Sequence, residues 1–171
     1  MSDKLSQVLQ RQKEQISQPF GEGQSEDEVV QLVGFVVSDE EYAVPILNIQ
    51  EIIKPIDFTR VPSVPDYVLG VFNMRGRVTP LIDLARLFNL GTTKFNPQTR
   101  YIVLKNENKD IDSCVGFVID RLTEAIKINK GMIDPPPETI VRDKGMIYGI
   151  GKRDDNILTI LKAEALLKRD F

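Results

Sequence analysis

Few residues in this 171-residue chain are of a type that could carry chemistry, and each can be weighed in turn. Cys114 is the one cysteine, and a nucleophilic thiol needs a base or a cationic neighbourhood to become a thiolate. The sequence contains no histidine, so the commonest base and the commonest transition-metal ligand are both missing. Flanked by Val115 and Phe117 in a β-rich run, Cys114 reads as a small buried apolar residue. One cysteine also precludes an internal disulfide and a thiolate zinc site. Gly149-Ile-Gly-Lys152 touches on a phosphate-loop pattern, but Met146 stands where that pattern needs glycine and Arg153 where it needs Ser or Thr. Asp83, Asp112 and Asp120 could supply a carboxylate pair; Asp83 and Asp120 each end an apolar run, where a carboxylate caps a strand end or helix start. The expectation is therefore no catalysis, no metal and no cofactor.

Arg75 is different. It stands in a turn, Arg75-Gly76-Arg77, between the apolar runs Tyr67–Met74 and Val78–Leu84. Glycine beside it permits positive φ or a close backbone approach. A guanidinium with five fixed donors suits a carboxylate, on a partner or on its own fold. Periodicity alone reads the segment as a hairpin with a solvated basic tip.

The elements that must position these residues are mostly strands. Val29–Val37 and Tyr42–Ile46 flank Ser38–Glu41 as a hairpin, and Pro45 marks a strand end or edge. Ile46, Ile49 and Ile53 recur at helical spacing, which predicts one or two helical turns ending before Pro55. Ala85–Leu90 predicts a short helix closed by Gly91. Tyr101–Leu104 and Ser113–Ile119 flank a charged turn, and Leu122–Ile128 is a further strand. Pro135–Pro137 opens a loop, Met146–Ile150 pairs with Ile157–Leu161, and Lys162–Lys168 forms a terminal helix. Short strands at close spacing predict an all-β barrel or sandwich. Each half holds about five, so two small barrels are expected, as lobes near residues 29–92 and 93–171 with exchange of strands between them.

Residues 1–28 differ in texture from the rest. They carry three basic groups (Lys4, Arg11, Lys13) and six acidic ones (Asp3, Glu14, Glu22, Glu26, Asp27, Glu28), of 22 and 25 in the whole chain. Residues 29–171 therefore hold 19 of each, and the extension carries the entire net charge of −3. A neutral body gives no electrostatic footprint for nucleic acid. Leu5, Val8, Leu9 and Ile16 fall roughly on one helical face before Pro19 and a Gly/Ser/acid-rich linker, which leaves open a disordered leader or a partner-binding helix. No apolar run reaches the roughly 18 residues of a membrane span, and the N-terminus lacks a signal core, so a cytoplasmic location is expected.

The segments Gly70–Leu84, Glu41–Ile52 and Val115–Asp120 together resemble the CheW family of bacterial chemotaxis coupling proteins. Gly70-Val-Phe-Asn-Met-Arg-Gly-Arg-Val-Thr-Pro-Leu-Ile-Asp-Leu84 is similar to the family's Gly-Val-x-Asn-Leu-Arg-Gly segment and its Pro-hydrophobic-hydrophobic-Asp-Leu ending, with Met74 as the departure. Glu41–Ile52 resembles its Glu-Tyr strand and Gln-Glu-Ile segment, and Val115-Gly-Phe-Val-Ile-Asp120 its Val-Gly strand. The resemblance spans residues 29–168. It implies two packed SH3-like five-stranded barrels and a non-enzymatic adaptor. Its partners would be the regulatory domain of the chemotaxis histidine kinase, the cytoplasmic tip of methyl-accepting chemoreceptors, and its own copies in array rings. It would be recruited to arrays at the inner face of the membrane. Carried over motif by motif, the receptor groove would comprise Ile49, Glu51, Gly70, Arg75, Val115, Gly116, Leu122 and Ala125. An adaptor of a different chemosensory pathway, such as twitching motility, has the same sequence signature. A small carboxylate-using enzyme or ligand-binding barrel would instead require a closed polar pocket around Asp83 or Asp120.

Overall fold

The computed structural model describes residues 28–105, 114–136, 145–153 and 155–168. Ten strands dominate: β1 (Val29–Val37), β2 (Glu40–Pro45), β3 (Ile49–Ile53), β4 (Val68–Met74), β5 (Arg77–Asp83), β6 (Arg100–Leu104), β7 (Val115–Ile119), β8 (Arg121–Asn129), β9 (Ile147–Arg153) and β10 (Asn156–Leu161). Among the described residues two short helices, α1 (Leu84–Leu87) and α2 (Ala163–Leu167), follow β5 and β10. The fold is mainly β, as the strand spacing predicts.

The strands form two five-stranded sheets, in the orders β8-β1-β2-β10-β9 and β3-β6-β7-β5-β4. The second sheet is contiguous in sequence, whereas the first combines β1 and β2 with strands that begin seventy-odd residues later. The strands thus divide by interleaving, not at a cut near residue 92. Both sheets have the same plan. An antiparallel hairpin (β1–β2 or β6–β7) joins, through a parallel pair (β2–β10 or β7–β5), to a second hairpin. Each sheet curls until its two outer edges meet at a single bridge. Thr59 exchanges both backbone hydrogen bonds with Val71 at 2.8 Å, and Asp134 does so with Ile150 at 2.8 and 2.9 Å. A glycine precedes the bridging residue on each closing strand. A Cβ on Gly70 would lie 2.1 Å from the Thr59 carbonyl oxygen, and one on Gly149 would lie 2.7 Å from that of Asp134.

Three apolar clusters fill this plan. Phe72, Leu81, Tyr101, Val103 and Val118 pack inside one barrel, and Leu32, Ala43, Leu158 and Ile160 inside the other. The third and largest lies between the sheets, where Val33, Phe35 and Val37 of β1 meet Ile102, Leu104, Val115, Phe117 and Ile119. Central strands therefore bury both faces, and their sequences are continuous apolar runs rather than alternating ones.

The helix predicted from Ile46, Ile49 and Ile53 is not formed as such. Ile46–Asn48 makes one 3-10 turn, and Ile49–Ile53 is strand β3, paired with β6. β-branched residues suit a pleated surface, and pairing supplies hydrogen bonds that a two-turn helix ending before proline could not complete. The helix predicted over Ala85–Leu90 shortens to Leu84–Leu87, and Asp83 caps it by accepting from the Ala85 N–H at 3.1 Å. The N-terminal extension, the charged turn after Lys105 and part of the proline loop lie outside the described residues.

Two consequences are measurable. Gly70→Ala places a methyl group inside the barrel closure and lowers stability by at least about 2 kcal/mol. Gly76→Ala, at φ +84° with open space around it, costs only about 1 kcal/mol; urea denaturation distinguishes the two. The second consequence concerns Tyr101, whose hydroxyl donates to the Ile56 carbonyl at 2.8 Å. Burial, aided by the negative charge of Asp57, pushes its phenol up to about 12. The unfolded phenol titrates near 10, so below that pH neither state loses the proton, and between about 10 and 12 only the unfolded chain does. Stability falls as pH rises through that window, and Tyr101→Phe removes this part of the alkaline loss in a melting series at stepped pH.

Candidate functional site

The β4–β5 hairpin carries the most distinctive side chain. Its tip consists of Arg75 at φ +53° and Gly76 at φ +84°. Two successive positive φ values match the twist of the strands and make the tight two-residue turn. Asn73 Oδ1 accepts from the Gly76 N–H at 2.9 Å and pins the turn. Glycine or asparagine takes such a backbone readily, whereas arginine in the left-handed region costs about 1 kcal/mol. The arginine is then aimed by a carboxylate from another strand. Arg75 Nη2 donates to Glu51 Oε1 at 2.8 Å, and Nε donates to Oε2 at 3.1 Å. Both bonds of the guanidinium fork are thus made to one residue of β3. The hydrogen bond to Glu51, with its charge second, raises the arginine's pKa further, so it stays cationic. The Arg75 side chain nevertheless remains 77% exposed and Glu51 26%, so the pair presents a fixed donor–acceptor surface to solvent. The basic tip expected from sequence is therefore oriented rather than freely solvated.

The strand register places the other candidates. Gly70 lies opposite Leu81, Leu81 opposite Gly116, Gly116 opposite Val103 and Val103 opposite Glu51. Three of the eight thus fall on one row across the sheet. Ile49 and Val115 share the next row, through Leu104. Leu122 and Ala125 belong to the other sheet, on edge strand β8 opposite Phe35 and Val33. Ile49 at 1% exposure and Val115 at 5% are members of the intersheet core, and half-buried Leu122 packs against it. Gly116 is buried beneath Phe72, whose ring would lie 2.7 Å from an added Cβ. Only Glu51, Arg75, Leu122 and Ala125 offer side-chain surface; Ile49, Val115, Gly70 and Gly116 shape what supports them. Asn73 was missed as a positioning residue, although its place three residues before a turn glycine is a readable signal.

Asp83 and Asp120 are occupied by their own chain. Asp83, fully buried, accepts at Oδ1 from Ala85 N and from Thr93 Oγ1 at 2.7 Å, and at Oδ2 from Thr93 N at 3.0 Å. Arg86 Nε stands 3.8 Å away. Asp83 thus ties the end of β5 and the start of α1 to the following loop. Asp120 Oδ2 accepts from Ser38 N at 2.7 Å and joins β8 to the β1–β2 turn. Asp120 does line an open depression of about 520 Å³, with Ser38, Asp39, Lys94 and Arg121. Asp112 lies outside the described residues. Cys114 is buried, within the core of the β3–β7 barrel. No described helix is long and apolar enough to cross a membrane.

Comparison with known proteins finds one family. The CheW-like domain family matches residues 31–171. The chemotaxis protein CheW of Helicobacter pylori is 50% identical over 171 residues, all of both chains. That of Bacillus subtilis is 34% identical over 140 residues, covering 81% of this chain and 87% of its own. The crystal structure of the scaffolding protein TtCheW from Thermoanaerobacter tengcongensis aligns with a TM-score of 0.71 at 29% identity, over 79% of this chain and 90% of that one. With its paired five-stranded sheets, its Asn73–Gly76 tip and a family match that spans the body of the chain, this protein belongs to the CheW family of chemotaxis adaptor proteins.

Proposed function

We propose that this chain couples chemoreceptors to the chemotaxis histidine kinase, binding both without catalysing a reaction, and that it works in arrays at the inner face of the membrane. The observation that carries the receptor contact is an arginine kept at an unfavourable backbone position, exposed and held in a two-bond fork by Glu51. Backbone strain at a surface tip is retained where the side chain, rather than the turn, is needed. The partner surface this reading calls for is an amphipathic helical one, as the family resemblance implies for a receptor hairpin. Glu51 and Arg75 would fix its register, and Leu122 and Ala125 would add apolar contact. Ile49, Val115, Gly70 and Gly116 act beneath that surface. The kinase's regulatory domain, of the same barrel type, is the second partner of this reading, and further copies of the chain are a third.

Co-sedimentation with receptor-bearing membranes, with and without the kinase, tests the coupling role: the chain is expected to pellet with receptor and to carry kinase with it. Arg75→Glu is expected to keep the fold, because an exposed pair contributes only about 0.2–1 kcal/mol. It should weaken ternary assembly by about 2 kcal/mol, roughly thirtyfold. The exchanged double variant Glu51→Arg/Arg75→Glu rebuilds the ion pair within the chain. It stays defective if the arginine meets a partner, and it recovers if the pair is only structural. A folded Arg75→Glu chain that recruits both partners normally would remove Arg75 from the interface.

A further inference from the structure

The surface proposed for the receptor is divided between the two sheets. Glu51 and Arg75 belong to the β3–β7 sheet, and Leu122 and Ala125 to β8 of the other. Its shape therefore depends on how one sheet is held against the other where the chain passes between them. The described strands change sheet twice, between β2 and β3 and between β7 and β8. The first passage is the 3-10 turn Ile46–Asn48, in which Ile46 and Asn48 are buried and the Asn48 carbonyl accepts from the Lys105 N–H at 2.8 Å. Burial fixes that passage.

The second passage is a single residue, Asp120, between Ile119 of β7 and Arg121 of β8. It is half-buried, and the open depression of about 520 Å³ beside it leaves one side unpacked. Hydrogen bonds hold this corner instead. The Asp120 N–H donates to the Val36 carbonyl at 3.0 Å, and its Oδ2 accepts from the Ser38 N–H at 2.7 Å. Ser38 Oγ donates in turn to the Leu90 carbonyl at 3.2 Å, on the loop after α1. The β1–β2 turn is thus tied both to the corner and to the segment that follows β5 and α1. Ser38 and Asp39 take φ values of +50° and +67°, although neither is glycine. Such a turn keeps its shape where the surrounding bonds over-determine it. The register of β8 starts from the same corner, with Arg121 opposite Val36 and Leu122 opposite Phe35. Leu122, two residues from Asp120, packs against the intersheet core.

We propose that Asp120 is a positioning residue for this surface: its carboxylate, through Ser38, sets the angle at which β8 leaves the β3–β7 sheet, and so places Leu122 and Ala125 relative to Glu51 and Arg75. The role in binding rests on the receptor-coupling reading of those four residues. The backbone bond to Val36 is independent of the side chain, so β8 begins in register whatever stands at 120. The carboxylate bond is the one a substitution removes. The freed Ser38 N–H then turns to solvent, so the fold survives, and beside an open depression the corner has room to rock.

Spin labels on the full chain at Val78→Cys and Ile157→Cys, with Cys114→Ala to leave no other thiol, report the separation of the two sheets. Val78 is 75% and Ile157 64% exposed, one on β5 and the other on β10. Asp120→Ala is expected to widen the distance distribution by about 2 Å. Asp120→Asn keeps an acceptor for Ser38 and should retain the wild-type distribution. In unlabelled chains, co-sedimentation with receptor-bearing membranes should show an affinity about fivefold lower for Asp120→Ala, within the range that residues away from a ligand exert on its binding. Asp120→Asn should bind as the wild type does, and circular dichroism checks the fold of each variant. A role in stability alone would lower the melting temperature of Asp120→Ala and leave distance and affinity at wild-type values, which would overturn the proposal. An Asp120→Asn chain as altered as Asp120→Ala would overturn it too, by excluding the hydrogen bond to Ser38 as the cause. Failure of the wild-type chain to bind receptor would instead remove the coupling reading, and the distance measurement would still decide whether Asp120 sets the angle.

Discussion

Burial of the central strands on both faces is the constraint from which the rest of this architecture follows. β7 is buried along its whole length. Val115, Phe117 and Ile119 face the other sheet, while Val118 and Gly116 face the inside of their own barrel. β6 divides in the same way, with Ile102 and Leu104 on one side and Tyr101 and Val103 on the other. A strand used twice leaves no room for adjustment, because a slip of one residue would exchange the two cores. The space inside each barrel is correspondingly tight. Gly116 yields to the Phe72 ring, and Gly70 and Gly149 let another segment's backbone cross at the closure. In effect the two sheets share one hydrophobic layer, so neither half of the sequence has a complete core to itself.

On that rigid support a small strain becomes usable. The β4–β5 tip holds an arginine where the backbone favours glycine or asparagine, and it is stabilised from three directions: the Asn73 side chain, the adjacent Gly76 and the Glu51 fork. Glu51 can perform this role because β3 is fixed by its ladder to β6, with an irregularity between Ile49 and Glu51 that separates a core residue from a surface one. The same device explains how residues adjacent in a motif take such different parts. Ile49 is core and Glu51 is surface; Gly70 is closure and Arg75 is display. The acidic residues that might have suggested chemistry serve as fasteners instead. Asp83 satisfies three donors at a strand–helix junction, and Asp120 ties a turn to the neighbouring strand.

The sequence by itself determined most of the element types, the hairpins and the turn chemistry, because these depend on local sterics and on the spacing of apolar residues. Val29–Val37, Tyr101–Leu104 and Val115–Ile119 could hardly be anything but buried strands, and Asn73-Met-Arg-Gly76 is a turn by composition. The motifs were also enough to indicate the family. Where local signals conflict, tertiary pairing decided: Ile49–Ile53 has helical spacing but joins β6. Only the tertiary structure decided which strands share a sheet, since β1 meets β8 across nearly a hundred residues and no local pattern encodes that partner. It alone separated buried Ile49 and Val115 from half-buried Leu122, because an apolar residue in a strand looks the same whichever layer covers it. It also gave Arg75 its carboxylate partner, because a bond between residues 24 positions apart exists only once two strands have been brought side by side.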